Sequence, residues 1–240
     1  MINQIVQGDC LEVMKDIPDK SVDMILCDLP YGTTACKWDT IIPFEPLWEQ
    51  YERVIKDNGA IVLFSSQPFT SALVMSNPKL FKYEWIIEKS KPTGHLNAKI
   101  KPLLKHDNVA VFAKGKINYA PQGLIDCNKV VKRTNKGCYG ECGKTTTMTK
   151  TGYPVSVQRF KYDAKPLHPT QKPVALFEYL IRTYTNEGEV VLDNCIGSGT
   201  TAIASLNTGR FFIGIEMDEH YHQVATKRVQ EWHDKQGLFT

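Results

Sequence analysis

The sequence predicts an α/β protein: a mainly parallel sheet with helices on both faces, carrying a small loop-rich insertion. Three observations carry this expectation. Strand-length apolar runs alternate with segments whose apolar residues recur at helical spacing, the pattern of strand–helix–strand units. A strand, a glycine turn and a helix start follow one another from Val190 to Thr201, the kind of junction at which such sheets hold ligands. The rhythm lapses between about Ile117 and Lys165 and then resumes.

Each element has its own signal. Val22–Cys27 (VDMILC) reads as a buried strand and Asp28–Thr40 as an irregular loop. Leu47, Trp48, Tyr51, Val54 and Ile55 share helical spacing, and Asn58-Gly59 is expected to stop that helix. Ala60–Ser65 is a second strand, and Pro68 opens a short helix to about Ser76. Tyr83–Glu88 and Asn108–Ala113 read as further strands, so residues 1–116 make one part of the domain. Gly, Thr, Lys and Asn dominate residues 117–165, too few apolar residues recur there for a large core, and the segment reads as the insertion. Residues 166–240 restore the pattern: a helix from Pro173 with Leu176, Phe177, Leu180, Ile181 and Tyr184 on one side, a strand at Val190–Asp193, a helix from Gly199 to Asn207 and a strand at Phe211–Ile215. A last helix, capped by Asp218, covers Val224, Ala225, Arg228, Val229 and Trp232.

Composition bounds the function. A chain of 240 residues, 42% hydrophobic and 23% charged, holds one substantial α/β domain and excludes disorder of the whole. Its apolar runs fall far short of the ~20 residues that span a bilayer. The start MINQIVQGDC lacks a basic segment leading into an apolar one, so neither a membrane partner nor a secretion signal is expected. Seven scattered cysteines fit reduced thiols in a cytoplasm. Cys138 and Cys142 form a single pair without a second, so no metal site is expected. Net charge is only +3, yet the span from Lys114 to Lys165 carries eleven Lys and Arg residues against Asp126, Glu141 and Asp163. Its local charge of about +8 suits either a polyanion surface or a solvated basic loop.

Two segments carry chemistry. In Val190–Thr201, Gly197 and Gly199 suit positive φ or close approach of a ligand, and the following helix start offers free N–H groups. Glu216, at the end of the next strand, is placed to accept from a ribose diol. An acid, a glycine turn and a second acid at successive strand ends point to an adenosine-containing cofactor. With Ala202 in the last glycine place the spacing also fits a dinucleotide, and a turn that only packs helix on strand remains open. In Asp28-Leu29-Pro30-Tyr31-Gly32, directly after a strand, a carboxylate and two carbonyls can converge while Tyr31 offers a flat face. An aromatic amine needs such acceptors, because its lone pair is delocalised until the N–H groups are engaged. A plain Asp-Pro turn closed by a packed tyrosine gives the same five residues.

DLPY at Asp28, HPTQKP at His168 and DNCIGSGTT at Asp193, in that order, resemble the β-class amino-methyltransferases of DNA over nearly the whole chain. The resemblance implies a Rossmann-like methyltransferase sheet and S-adenosylmethionine as cofactor. It implies double-stranded DNA as partner and methyl transfer to the exocyclic amine of a flipped base. Asp rather than Ser at position 28 favours adenine N6 over cytosine N4; a catalytically silent DNA-binding regulator and an RNA or small-molecule methyltransferase are the rival readings. By position, Asp28, Leu29, Pro30 and Tyr31 resemble the catalytic element. Asp193, Gly197, Ser198, Gly199, Thr200 and Thr201 resemble the cofactor loop, and Glu216 the ribose acid. Asp9 and Cys10 lie in a Gly-Asp element near the adenine end, although Asp9 also suits a helix N-cap. Thr170, Gln171 and Lys172 resemble the methionine end, where the Lys172 ammonium meets the cofactor carboxylate, while His168 reads as a turn residue before proline. Leu29 departs from the usual proline, and Asn194 and Cys195 from the usual Pro-Phe. Lys89–Lys101 and Thr33–Trp38 are expected as DNA-facing loops, and residues 117–165 as the target-recognition region. The resemblance leaves oligomeric state open, with a homodimer among the family's assemblies, and implies the cytoplasm of a bacterial or phage-infected cell.

Overall fold

A computed structural model gives the structure of the protein; it describes residues 1–33, 39–132, 136–137, 140–141, 145–161 and 171–237. The strands are β1 (Gln4–Gln7), β2 (Val22–Asp28), β3 (Ile55–Ser65), β4 (Phe81–Thr93), β5 (Leu104–Phe112), β6 (Ile125–Lys132), β7 (Lys136–Gly137), β8 (Gly140–Glu141), β9 (Thr145–Thr151), β10 (Val157–Arg159), β11 (Val190–Asp193) and β12 (Phe211–Glu216). The α-helices are α1 (Cys10–Val13), α2 (Phe44–Val54), α3 (Phe69–Ser76), α4 (Val174–Tyr184), α5 (Thr200–Asn207) and α6 (Glu219–Gly237).

Eight strands form one sheet in the order β1-β12-β11-β2-β3-β5-β4-β10. Within it β5 alone runs against the others, being antiparallel to both β3 and β4. Strands covered on both faces must be apolar on both, and β2 obeys. Ile25 and Cys27 join Leu47, Tyr51 and Val54 of α2 on one side. Met24 and Leu26 face Leu176, Leu180 and Ile181 of α4 on the other. From β2 the chain crosses through α2 to β3 on one side; from β11 it crosses through α5 to β12 on the opposite side. The order therefore reverses between β2 and β11, which places their carboxyl ends at the crevice where open α/β sheets hold ligands.

Three details of the main sheet and its helices differ from the sequence expectation. Asn58-Gly59 does not stop α2; the helix ends at Val54 and the chain passes directly into β3. The pair instead lies in an irregularity, since Val22 pairs with Ile55 but Met24 with Ala60. Gly59 is needed there because a Cβ would stand 2.7 Å from the Asp23 carbonyl oxygen and 2.7 Å from the Ile55 side chain. The short edge strand β1 was not anticipated. Val157–Arg159, inside the span expected as the insertion, is the edge strand β10 beside β4.

Contacts divide the chain into two units, residues 1–119 with 156–240, and residues 120–155. The second holds an antiparallel ladder of β6 and β9 where loops were expected. Its Val and Thr content accounts for the extended backbone, and Ile125 and Val130 stay exposed on it. Among the described residues no helix is long and apolar enough to cross a membrane.

Replacing Gly59 by Ala is expected to cost about 1–3 kcal/mol through this clash. A urea midpoint unchanged from wild type would show that the irregularity tolerates a side chain.

Candidate active site

β2 ends at Asp28, and the loop after it is tied by a carboxylate that sequence reading missed. Buried Asp39 accepts from the backbone N–H groups of Tyr31 (2.8 Å), Gly32 (2.9 Å) and Thr33 (2.9 Å). Gly32 has φ +67 and its absent Cβ would lie 2.9 Å from Ile41, so glycine alone lets the turn close this tightly. Leu29 is buried among the residues beneath this loop, which accounts for an apolar side chain in the usual proline place. Tyr31 rests on Phe69, with ring centroids 5.3 Å apart.

Both oxygens of Asp28 are engaged. The Tyr31 hydroxyl donates to Oδ1 at 2.5 Å and the Lys172 ammonium to Oδ2 at 2.5 Å. Burial first, then the Asp28 charge, hold the Tyr31 hydroxyl well above its ordinary pKa, so it remains a neutral donor. Lys172 is itself buried and sits 5.2 Å from the ring centroid of Phe64. That ring stacks on Phe177 of α4 at 5.2 Å and 10°, and Phe64 lies level with Asp28 in the sheet. Lys172, expected at the methionine end of the cofactor, is thus bonded to the expected catalytic carboxylate in this structure. Its neighbour Gln171 accepts from the Ser198 hydroxyl at 3.3 Å. The dipeptide Gln171-Lys172 therefore touches both the cofactor loop and Asp28. Thr170, His168, Cys138, Cys142 and residues 34–38 lie outside the described residues.

The glycine loop is built around two acids. Asp193, at the end of β11, accepts from the Cys195 N–H at 3.1 Å and from the Thr201 hydroxyl. It is buried, and it closes the turn on itself. Glu216, at the end of β12, accepts from the N–H of Gly197 at 2.8 Å and of Asp218 at 2.9 Å. The Met217 N–H also donates to this carboxylate, which with about four acceptor sites keeps capacity for a diol. Gly197 has φ +52 with nothing within 4 Å of an added Cβ, whereas Gly199 (φ +82) packs against Ala225, 3.2 Å from its would-be Cβ. The first glycine leaves open space over the turn and the second seats α6. Arg228 of α6, also missed from sequence, donates to the Ser198 carbonyl at 3.0 Å and the Thr200 hydroxyl at 3.3 Å. Gly8 donates to the Glu216 carbonyl at 2.9 Å, which brings the Gly-Asp element beside this acid. Asp9 caps α1 through the Leu11 N–H at 2.8 Å.

The departures at Asn194 and Cys195 have a structural account. Tyr51 of α2 is fully buried, and its hydroxyl donates to the Asn194 side chain at 2.6 Å; a proline there would strand it. Cys195 joins the thiols of Cys10 and Cys27 beneath the loop. Burial pushes Cys27 up to about 12, which keeps it a neutral core thiol rather than a nucleophile. Asp193, Gly197, Thr201 and Glu216 thus surround one turn, and Asp28, Tyr31 and Lys172 one carboxylate.

The family model for DNA methylases matches residues 22–227. The DNA adenine methyltransferase YhdJ of Escherichia coli is 30% identical over 241 residues, covering 94% of this chain and 82% of that protein. The type II methyltransferase M1.MboII of Moraxella bovis is 30% identical, with 92% of this chain and 94% of that one covered. A solved complex of M1.HpyAVI with SAM superposes with a TM-score of 0.65 at 28% identity, covering 94% of this chain and 98% of that chain. The cytosine-N4-specific PvuII DNA methyltransferase has a TM-score of 0.66 at 13% identity, over 97% of this chain and 91% of that one, a likeness of fold alone.

Burial, opposed by the bonds from Thr201 and Cys195, raises Asp193 to about 7. An unfolded aspartate titrates near ~4. The folded chain thus keeps a proton that the unfolded chain releases, and stability is lost as pH rises through that window. Asp193→Asn keeps an acceptor but cannot ionise, so it is expected to lose less stability than wild type between about pH 4 and pH 7. Urea midpoints at both ends of the window measure this, and equal losses would contradict it.

Proposed function

We propose a specific activity for this chain, which belongs to the family of DNA methylases that modify N6 of adenine or N4 of cytosine: methyl transfer to adenine N6 in double-stranded DNA. The cofactor is S-adenosylmethionine, which when bound supplies a methyl group already activated by its sulfonium. The observation that carries the reading is the Asp28 carboxylate, held by Tyr31 and Lys172 at the crevice beside the glycine loop.

The residues present fit the cofactor. Glu216 keeps acceptor capacity for a ribose diol, Gly197 leaves the space over the turn clear, and Asp193, Ser198, Gly199, Thr200 and Thr201 shape the loop. Asp9 and Cys10 are assigned to the adenine end, and Gln171 and Lys172 to the other end. The Lys172 ammonium then serves Asp28 and the cofactor carboxylate in turn or together.

For the base, Asp28 accepts an N–H of the amine, and the Leu29 and Pro30 carbonyls accept the other. These acceptors localise the lone pair on nitrogen, and the carboxylate offsets the positive charge that develops there. The nitrogen then gives up a proton to solvent, by way of its hydrogen bond to Asp28, which restores a neutral amine. Tyr31 stacks on the base, its hydroxyl held on Asp28. A base in a duplex must leave the stack to reach this pocket. Asp at position 28 and the adenine activity named for a 30% identical relative support adenine. Residues 120–155, which lie within the span of basic excess, are the proposed target-recognition insertion, and phosphate contacts there would position the duplex.

Labelled methyl transfer to varied duplex DNA with nucleoside mass analysis tests the reading. N6-methyladenine is expected, with the rate cut by about 10²–10³-fold or more in Asp28→Ala and cofactor binding retained. N4-methylcytosine would overturn the base assignment, and an active Asp28→Ala variant would overturn the role of the carboxylate.

A further inference from the structure

The β4–β5 hairpin leaves the sheet at the same end as the catalytic loop. Asp28 lies level with Phe64, Phe64 with Val109, and Val109 with Trp85. From Val109 back to Leu104, five residues of β5 rise roughly 17 Å beyond that level at 3.3–3.4 Å each. The turn that closes the hairpin stands further out still. It is an ordered turn: Asn97 N–H donates to the Gly94 carbonyl at 3.0 Å, Ile100 N–H to Asn97 at 2.9 Å and Lys101 N–H to Asn97 at 3.0 Å. Gly94, with φ +89, starts it.

On this turn Leu96 is 100% exposed and Ile100 83% exposed. Both belong to the one 3₁₀-type turn that closes the hairpin. Lys91, Lys99 and Lys101 are exposed around them, and no acidic residue occurs between Lys89 and His106. Two aliphatic side chains held out in water, ringed by cations alone, fit a partner that is anionic outside and apolar between its layers. A nucleic-acid duplex is such a partner: phosphates take the lysines, and Leu or Ile side chains enter as wedges between base steps.

We propose that Leu96, backed by Ile100, enters the duplex beside the target base pair and fills the gap left when the base moves to Asp28. This rests on the reading that a duplex DNA base is the substrate. Leu96 acts as a positioning residue; it stabilises the opened duplex and touches no reacting atom. Lys91, Lys99 and Lys101 hold the flanking phosphates.

The test compares wild type, Leu96→Ala and Leu96→Ala/Ile100→Ala in single-turnover methyl transfer. Two duplexes are used: one fully paired, and one with the target base opposite an abasic site, where the base is already unpaired. On the paired duplex a loss of about tenfold or more is expected, since the opened step is then left unfilled; on the abasic duplex the loss is expected to be below about threefold. Fluorescence of 2-aminopurine at the target position is expected to fall in the variants on the paired duplex. Equal losses on both duplexes, or none on either, would overturn the proposal. Equal losses with a change from dimer to monomer in sedimentation would instead assign this turn to contact between copies of the chain, and would overturn it too. A wild-type protein that methylates no DNA would overturn the underlying reading rather than the wedge.

Discussion

One carboxylate organises this protein. Asp28 receives a hydroxyl from Tyr31, three residues on, and an ammonium from Lys172, 144 residues on. The second bond joins the first stretch of the sheet to the segment that re-enters it after the insertion. A partly buried carboxylate is costly without partners, and Lys172 would be costlier still. Each therefore fixes the other at the point where strand order reverses. Asp39 and Gly32 fold the loop so that Tyr31 can reach, and Phe64 and Phe177 wall the ammonium from the far side.

The cofactor loop obeys a similar constraint. Asp193 is consumed by its own turn and α5, through Cys195 and Thr201, while Glu216 clamps the backbone at Gly197. The two acids were read alike from sequence, as strand-end carboxylates, yet they are placed differently. Asp193 is fully buried and shapes the turn; Glu216 is partly exposed and keeps acceptor capacity. Arg228 from the last helix braces the loop from outside.

Much of this was legible in the sequence. Strands buried on both faces give unbroken apolar runs, so β2, β3, β11 and β12 stood out, and the glycine turn marked its own junction. The rest depended on contacts between distant residues. Asp39 is an ordinary acid in a loop until the fold brings it under three N–H groups. Phe64 reads as a core residue of a strand until Lys172 lies over it. Asn194 looks like a lost proline until the Tyr51 hydroxyl is seen to need a partner. Asn58-Gly59 carried the chemistry of a helix stop, but strand pairing with β2 overrode it. The β6–β9 ladder escaped because Thr- and Lys-rich strands with little burial lack the alternation that betrays a half-buried strand.

The most direct test of the account is a double-mutant cycle on the Asp28–Lys172 pair, read as single-turnover methyl transfer by Asp28→Ala, Lys172→Met and the double variant, with S-adenosylmethionine saturating for each so that any loss of cofactor affinity through Lys172 drops out. If Lys172 acts by holding Asp28, its loss matters only while the carboxylate is present, and the double variant is no slower than Asp28→Ala alone. Losses that multiply would contradict this and give the two residues separate tasks.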